Sequence, residues 1–164
     1  MGKPLVAAVE GYAAGAGFSL ALAADCIVAA DTAKFVSSFA KVSLLPDLGL
    51  MWTLPQRVGL ARAKRLLMSA RVVAAEEALR IGLVDEVAEP GQAVAKASEV
   101  AREMAAHAPI SAALLKAAYA RGINTLDDAL AYEMDNQAAL YLTQDHREAV
   151  AAFLEKRAPV FRGI

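Results

Sequence analysis

Residues 11–25 read GYAAGAGFSLALAAD, in which three glycines, Gly11, Gly15 and Gly17, and a run of alanines stand between a strand-like stretch and a helix-like one. Upstream, residues 5–9 (LVAAV) form a short apolar run behind Pro4 that does not alternate, the pattern of a strand covered on both faces. Residues 11–17 read as a loop, 18–24 as a short helix and 26–30 (CIVAA) as a second buried strand. The rest of the chain builds on that beginning. Residues 34–38 suit a further strand, 39–47 (FAKVSLLPD) a loop with local turns, and 48–58 a helix that Pro55 bends or restarts. A helix over 60–69, another over 75–81 stopped by Gly82, and a strand over 83–87 follow. From residue 92 the chain reads as four amphipathic helices, 92–106, 110–121, 126–142 and 145–157. Pro109 opens one, Gly122 closes it, and Thr125 with Asp128 makes a start like a capping box. A mixed α/β chain therefore gives way to pure helix near residue 90.

Composition removes several function classes. At 164 residues and 57% hydrophobic, the chain suits a single domain that buries roughly 70% of the surface its unfolded form exposes. Seventeen Lys and Arg face 18 Asp and Glu, so no overall charge favours nucleic acid or an anionic membrane. Cys26 is the single cysteine, which excludes an intrachain disulfide, and one cysteine with His107 and His146 far apart gives no metal-ligand spacing. The opening MGKPLVAAVEG is broken too early for a secretory signal, and no run reaches the ~20 apolar residues of a membrane span. A cytoplasmic protein is the expectation.

Four uses of the glycine loop compete. A dinucleotide fingerprint needs a third glycine where Leu20 stands, and a phosphate-cradling loop needs a Lys-Ser or Lys-Thr pair that is absent. Gly17-Phe18-Ser19-Leu20-Ala21 is one residue from a nucleophile elbow, G-x-S-x-G. A serine acyl hydrolase would then use Ser19 with His107 or His146. The remaining chemistry is an oxyanion hole, because backbone N–H groups at a helix N-terminus are unpaired and carry partial positive charge. Against all four stands plain packing, in which small residues let strand and helix approach.

The segments KPLVAAVEGYAAGAGFSLALAADCIVAADTAKF, FAKVSLLPDLGLMWTLPQRVG, AEEALRIGLVDEV and REAVAAFLEKRAPVF together resemble the enoyl-CoA hydratase/isomerase, or crotonase, family. They follow the family's order over nearly the whole chain. The resemblance implies an α/β fold, a crotonase-like spiral of ββα units incomplete at the N-terminus, with a C-terminal helical region. Residues 1–90 would belong to the spiral core and 91–164 to a helical trimerisation region, giving a homotrimer or hexamer. An acyl-CoA thioester is the implied ligand. Coenzyme A is part of that substrate, and no separate cofactor is expected. The thioester oxygen would sit between two backbone N–H groups, one of them on Ala16 with Gly15 and Gly17 beside it. Losing one such donor typically costs about 100- to 1000-fold in rate. The front segment, which carries the other donor, has no counterpart before MGKPLVAAVEG, so a fragment of a longer protein or a truncated relative is implied. The isolated chain is then expected to be inactive or dependent on a further polypeptide.

Family hydratases carry two glutamates, because adding water takes a base and an acid. The corresponding positions hold Ser19 and Phe39, which disfavours hydration by that route. Asp47, in PDLG, looks like the single carboxylate of members that convert 3-enoyl-CoA to 2-enoyl-CoA, and Leu45, Leu48, Leu50 and Trp52 give it the apolar neighbourhood that suits a general base. PDLGLMWTLP is especially similar to members that rearrange a ring epoxide on coenzyme A in phenylacetate breakdown. Read locally, the same aspartate is a good helix N-cap, worth about 1 kcal/mol. Phe153 and Lys156, in AFLEKR, match tail residues that contact the adenine and phosphates of coenzyme A, commonly that of a neighbouring subunit, and spacing would set them on one helix face. Their ordinary alternative is a core stripe of Val150, Phe153 and Leu154 with a solvated Lys156. Tyr12 and Trp52 suit packing or the walls of an acyl pocket. A double-bond isomerase is the leading expectation, with a non-catalytic scaffold of the same fold as its competitor.

Overall fold

The computed structural model describes residues 1–164. Packing divides it into Leu5–Ala101 and a second unit made of Met1–Pro4 with Arg102–Ile164. That division falls inside a helix, whereas composition changes character near residue 90.

In the first unit, β1 (Val6–Val9), β2 (Tyr12–Ala14), α1 (Ala16–Leu22), β3 (Cys26–Ala30) and β4 (Lys34–Val36) follow one another. A 3-10 turn at Phe39–Val42, α2 (Leu50–Val58), α3 (Leu60–Ser69), β5 (Val73–Ala74), α4 (Ala75–Arg80), β6 (Glu86–Ala88) and most of α5 (Ala93–Ala105), the helix in which the division falls, complete the series. The strands divide between two three-stranded sheets. β1, β3 and β6 form a parallel sheet in the order β1-β3-β6, with Val6 opposite Cys26, while β2 pairs parallel and β5 antiparallel with β4. All five residues of β3 are buried, as a central strand covered on both faces requires.

Tyr12–Ala14, expected as loop, is a strand. Three residues, two of them alanine, carry no alternation to read, and the partner β4 lies some twenty residues on. β5, only two residues long, is hidden for the same reason. The strand expected over 83–87 begins later, because Leu83 and Val84 donate their N–H groups to the Ala78 carbonyl and close the end of α4. Pro55 lies inside α2, which runs through it.

Phe18, Ile27, Phe35, Leu50, Leu54 and Leu83 fill the core, with the Phe18 and Phe35 rings 5.8 Å apart. One polar hub crosses its edge. An Asp85 carboxylate oxygen accepts from the Ile27 N–H at 2.7 Å and from the Arg57 guanidinium at 2.9 Å, and Arg57 also donates to the carbonyls of Ala24, Asp25 and Leu83. Burial, and then the charge of Asp85, pushes the adjacent Cys26 thiol up to about 11, which keeps it protonated at neutral pH.

The second unit contains α6 (Pro109–Arg121), α7 (Leu126–Tyr141) and α8 (Gln144–Glu155). The predicted capping box is present, with Thr125 and Asp128 each accepting the other's backbone N–H at 3.1 Å. The Tyr132 hydroxyl ties α7 to α6 through the Leu114 carbonyl. Beyond α8 the chain doubles back along that helix. Arg157 pairs with Glu148, the Val160 N–H joins the same carboxylate, and the Arg162 and Gly163 N–H groups donate to buried Asp145 at 2.7 Å each. The hydrogen bond from Arg157, and then that from Val160, pulls Glu148 down to about 2. No helix is long and apolar enough to cross a membrane.

Two measurements check these anchors. Asp85→Ala strands the buried Ile27 N–H and should lower the unfolding free energy by about 1–3 kcal/mol in urea titration; an unchanged midpoint would show the hub to be dispensable. Glu148 has a folded pKa below its ordinary 4.5, so its contribution is full above that value and fades as the pH falls toward 2. Glu148→Gln should flatten the acid-unfolding curve within that window, followed by circular dichroism, and a curve identical to wild type would contradict the assignment.

Candidate active site

Gly15 has φ 51 and ψ −121, a conformation close to exclusive to glycine. Its N–H donates to the Val36 carbonyl on β4 at 3.0 Å, and its carbonyl accepts from the N–H groups of Phe18 and Ser19 at 3.0 and 3.1 Å. A Cβ here would stand 3.2 Å from the Ser38 hydroxyl and 4.0 Å from the Phe39 ring. The next two N–H groups, on Ala16 and Gly17, have no acceptor within the chain, and both residues are exposed. A Cβ at Gly17 would meet nothing within 4 Å. Backbone strain and crowding therefore explain Gly15, while open space lies beside Gly17. A groove of ≈ 390 Å³ runs along Ala7–Ala13 and reaches Gly17, Leu20 and Ala21.

Ser19 is fully buried at 0% exposure, and its hydroxyl faces the Gly15 carbonyl at 3.4 Å. That placement gives the hydrolase alternative no support: no histidine accepts from Ser19, and His107 and His146 both belong to the other unit. Phe39 is buried in the core beneath Gly15. Both residues are supports of the loop rather than exposed surface.

Asp47 lies between the 3-10 turn and α2, on a loop where Ser43, Leu48 and Gly49 all take left-handed φ values of 57, 49 and 82. For Leu48 that conformation costs roughly 1–2 kcal/mol. Asp47 is not the cap that its sequence position suggests. Gly49 occupies the N-cap of α2 with no side-chain cap, the Asp47 backbone carbonyl accepts from the Leu50 N–H at 3.0 Å, and its carboxylate is exposed with no hydrogen bond or ion pair. Of its expected apolar neighbours only Leu50 is buried; Leu45, Leu48 and Trp52 are open to solvent. The expected site residues thus fall in two places, Gly15–Gly17 with Ser19 and Phe39 at the head of α1, and Leu45, Asp47 and Trp52 along the loop and first turn of α2. α1 packs on α2, which carries the two loops on adjoining helices, but Asp47, Leu45 and Trp52 are not walls of the groove beside Gly17.

Phe153 and Lys156 lie in the second unit. Phe153 is 83% exposed and Leu154 and Val150 are also exposed, so the core stripe expected there does not exist. The shared helix face is corrected too: α8 ends at Glu155, and Lys156 forms a left-handed cap with φ 53. No group of His, Cys, Asp or Glu side chains could hold a metal ion. The contacts that sequence reasoning missed, Val36 to Gly15 and Ser38 against Gly15, depend on the β2–β4 pairing and have no local signal.

A family model described as enoyl-CoA hydratase/isomerase matches residues 1–163. Among curated relatives, 1,2-epoxyphenylacetyl-CoA isomerase of Escherichia coli K12 is 41% identical over 98% of this chain and 62% of its own length, and a probable enoyl-CoA hydratase of Rhodobacter capsulatus is 44% identical over 98% and 63%. A crystal structure of an enoyl-CoA hydratase from Polaromonas sp. JS666 superposes with a TM-score of 0.92 at 42% identity, covering 98% of this chain and 63% of that one. The chain belongs to the enoyl-CoA hydratase/isomerase family and has the crotonase fold. It spans somewhat under two thirds of the length of the curated relatives it matches.

The two glycines of the loop should respond differently to a methyl group. Gly15→Ala is expected to cost about 1–2 kcal/mol from its backbone conformation, whereas Gly17→Ala, inside α1 with free space, should gain roughly 0.5–1 kcal/mol. Thermal unfolding of both variants distinguishes them, and equal midpoints would refute the contrast.

Proposed function

We propose that the protein is an acyl-CoA isomerase that shifts a double bond, from 3-enoyl-CoA to 2-enoyl-CoA or in a related ring-epoxide or oxepin thioester, through an enolate stabilised at an oxyanion hole. The observation that carries this reading is the Asp47 carboxylate, exposed and without a hydrogen bond or ion pair, on a loop whose helix α2 packs against α1, the helix that Ala16 opens. It is joined by buried Ser19 and Phe39 at the two positions where the family resemblance expects the glutamates of a hydratase. One carboxylate is enough to move a double bond, whereas the hydratase route uses two acids. The name of the E. coli relative supports including ring-epoxide substrates.

In this reading the Asp47 carboxylate takes a proton from the carbon α to the thioester. The C–H electron pair enters the conjugated system, and negative charge gathers on the thioester oxygen, where the free Ala16 N–H donates to it. The protonated Asp47 then gives the same proton to C4, which leaves the double bond between C2 and C3. Neither water nor a redox partner enters, and the thioester is unchanged. The base contributes roughly 100- to 10,000-fold.

Phe153 and Lys156, both free of core packing, serve the adenine and phosphates of coenzyme A bound to a neighbouring subunit in the same proposal. Self-association is its further part: α7 exposes Leu126, Leu130 and Met134, a surface suited to further copies of the protein in a trimer.

Asp47→Asn in the full-length protein should cut turnover of 3-hexenoyl-CoA by about 100- to 10,000-fold with KM little changed. Turnover equal to wild type would remove Asp47 from the chemistry. Acyl-CoA binding without turnover in either form would favour a scaffold, and efficient hydration of crotonyl-CoA would return the protein to the hydratases.

A further inference from the structure

We infer that Ser19 is a positioning residue for the oxyanion donor, gripping the Gly15–Ala16 peptide by its carbonyl end and strengthening the N–H at its other end. The inference rests on the reading of Ala16 as that donor. The peptide is trans, as are all in the chain, so the Gly15 carbonyl and the Ala16 N–H are opposite ends of one planar unit and point in opposite directions. Three donors meet the carbonyl: the Phe18 N–H at 3.0 Å, the Ser19 N–H at 3.1 Å and the Ser19 hydroxyl at 3.4 Å. Holding the oxygen inward turns the Ala16 N–H outward, where nothing in the chain accepts it.

Only one of those three donors depends on residue type. Phe18 and Ser19 supply backbone N–H groups whatever their side chains, but the third bond exists because position 19 carries a hydroxyl. Packing alone does not call for one. Ser19 is wholly buried, as are Phe18, Ala21 and Leu22 of the same helix, and alanine would fill nearly the same space without a polar group to satisfy. An amide whose oxygen accepts a hydrogen bond donates more strongly through its N–H, by about 10–30% per bond. When an enolate draws on Ala16, charge shifts through the peptide onto the Gly15 oxygen, and the long contact from Ser19 has room to tighten. The residue in place of a hydratase glutamate therefore remains part of the catalytic apparatus, acting through the peptide rather than on the substrate.

The test uses Ser19→Ala and Ser19→Thr in the full-length protein. Its two readouts are steady-state kinetics with 3-hexenoyl-CoA and the infrared stretch of the carbonyl-13C thioester of bound hexanoyl-CoA, which has no double bond to move. Ser19→Ala should lower kcat roughly tenfold, a fraction of the loss of a whole donor. KM should change little, and the bound carbonyl should give back part of its wild-type red shift. Ser19→Thr, which keeps the hydroxyl, should restore both. If Ser19→Ala does not fold, Ser19→Cys keeps the volume with a weaker donor, and the same losses are expected of it. A folded Ala or Cys variant with wild-type kcat and wild-type carbonyl frequency overturns the inference and leaves the oxyanion reading standing. A wild-type protein that binds hexanoyl-CoA without any red shift overturns both.

Discussion

At Gly15 a single residue is bonded on one side to β4, through Val36, and on the other to the first turn of α1, through Phe18 and Ser19. The smaller sheet and the short helix are thereby locked together across a turn that no side chain could occupy without meeting Ser38. Each feature of the proposed site follows from that lock. It fixes the direction of the Gly15–Ala16 peptide, leaves the following N–H groups without partners, and requires Phe39 to lie beneath the loop as packing. A helix of seven residues has little intrinsic stability. Its first turn is therefore placed by tertiary bonds, and by the burial of Phe18 and Leu22, rather than by propensity.

The same economy governs the charged groups. Asp85, Asp145 and Glu148 are occupied by backbone N–H groups, joined at Asp85 and Glu148 by an arginine. At Ile27 the donor is buried and needs an acceptor, which Asp85 supplies. Asp47 is the contrast. It sits on a loop with three left-handed residues, one of them a leucine, and its carboxylate makes no hydrogen bond or ion pair. Strain of that kind persists only where surrounding structure imposes it.

Much of this was legible in the residues themselves. The non-alternating run CIVAA identified a buried strand, the Thr125–Asp128 spacing identified a cap, and Pro109 and Gly122 bounded a helix, because each is a local effect. The family too was legible, since its segments recur in order. What stayed hidden were the short strands Tyr12–Ala14 and Val73–Ala74 and the fate of two side chains. Asp47 had the sequence of a cap without the geometry, because Leu48 and Gly49 turn the chain and place Gly49 at the helix start. Phe153 had the spacing of a core residue and lies exposed, since periodicity orients a face without saying what meets it.

The sequence by itself determined which residues could carry the chemistry: a carboxylate at 47, no glutamates at 19 and 39, and glycines where a backbone must bend. Those are properties of side chains and local dihedral freedom, written one residue at a time. Tertiary structure decided what each group is free to do. Whether an N–H is spent or available, and whether a hydroxyl faces a ligand or a carbonyl, depends on partners brought from distant parts of the chain by strand pairing and burial.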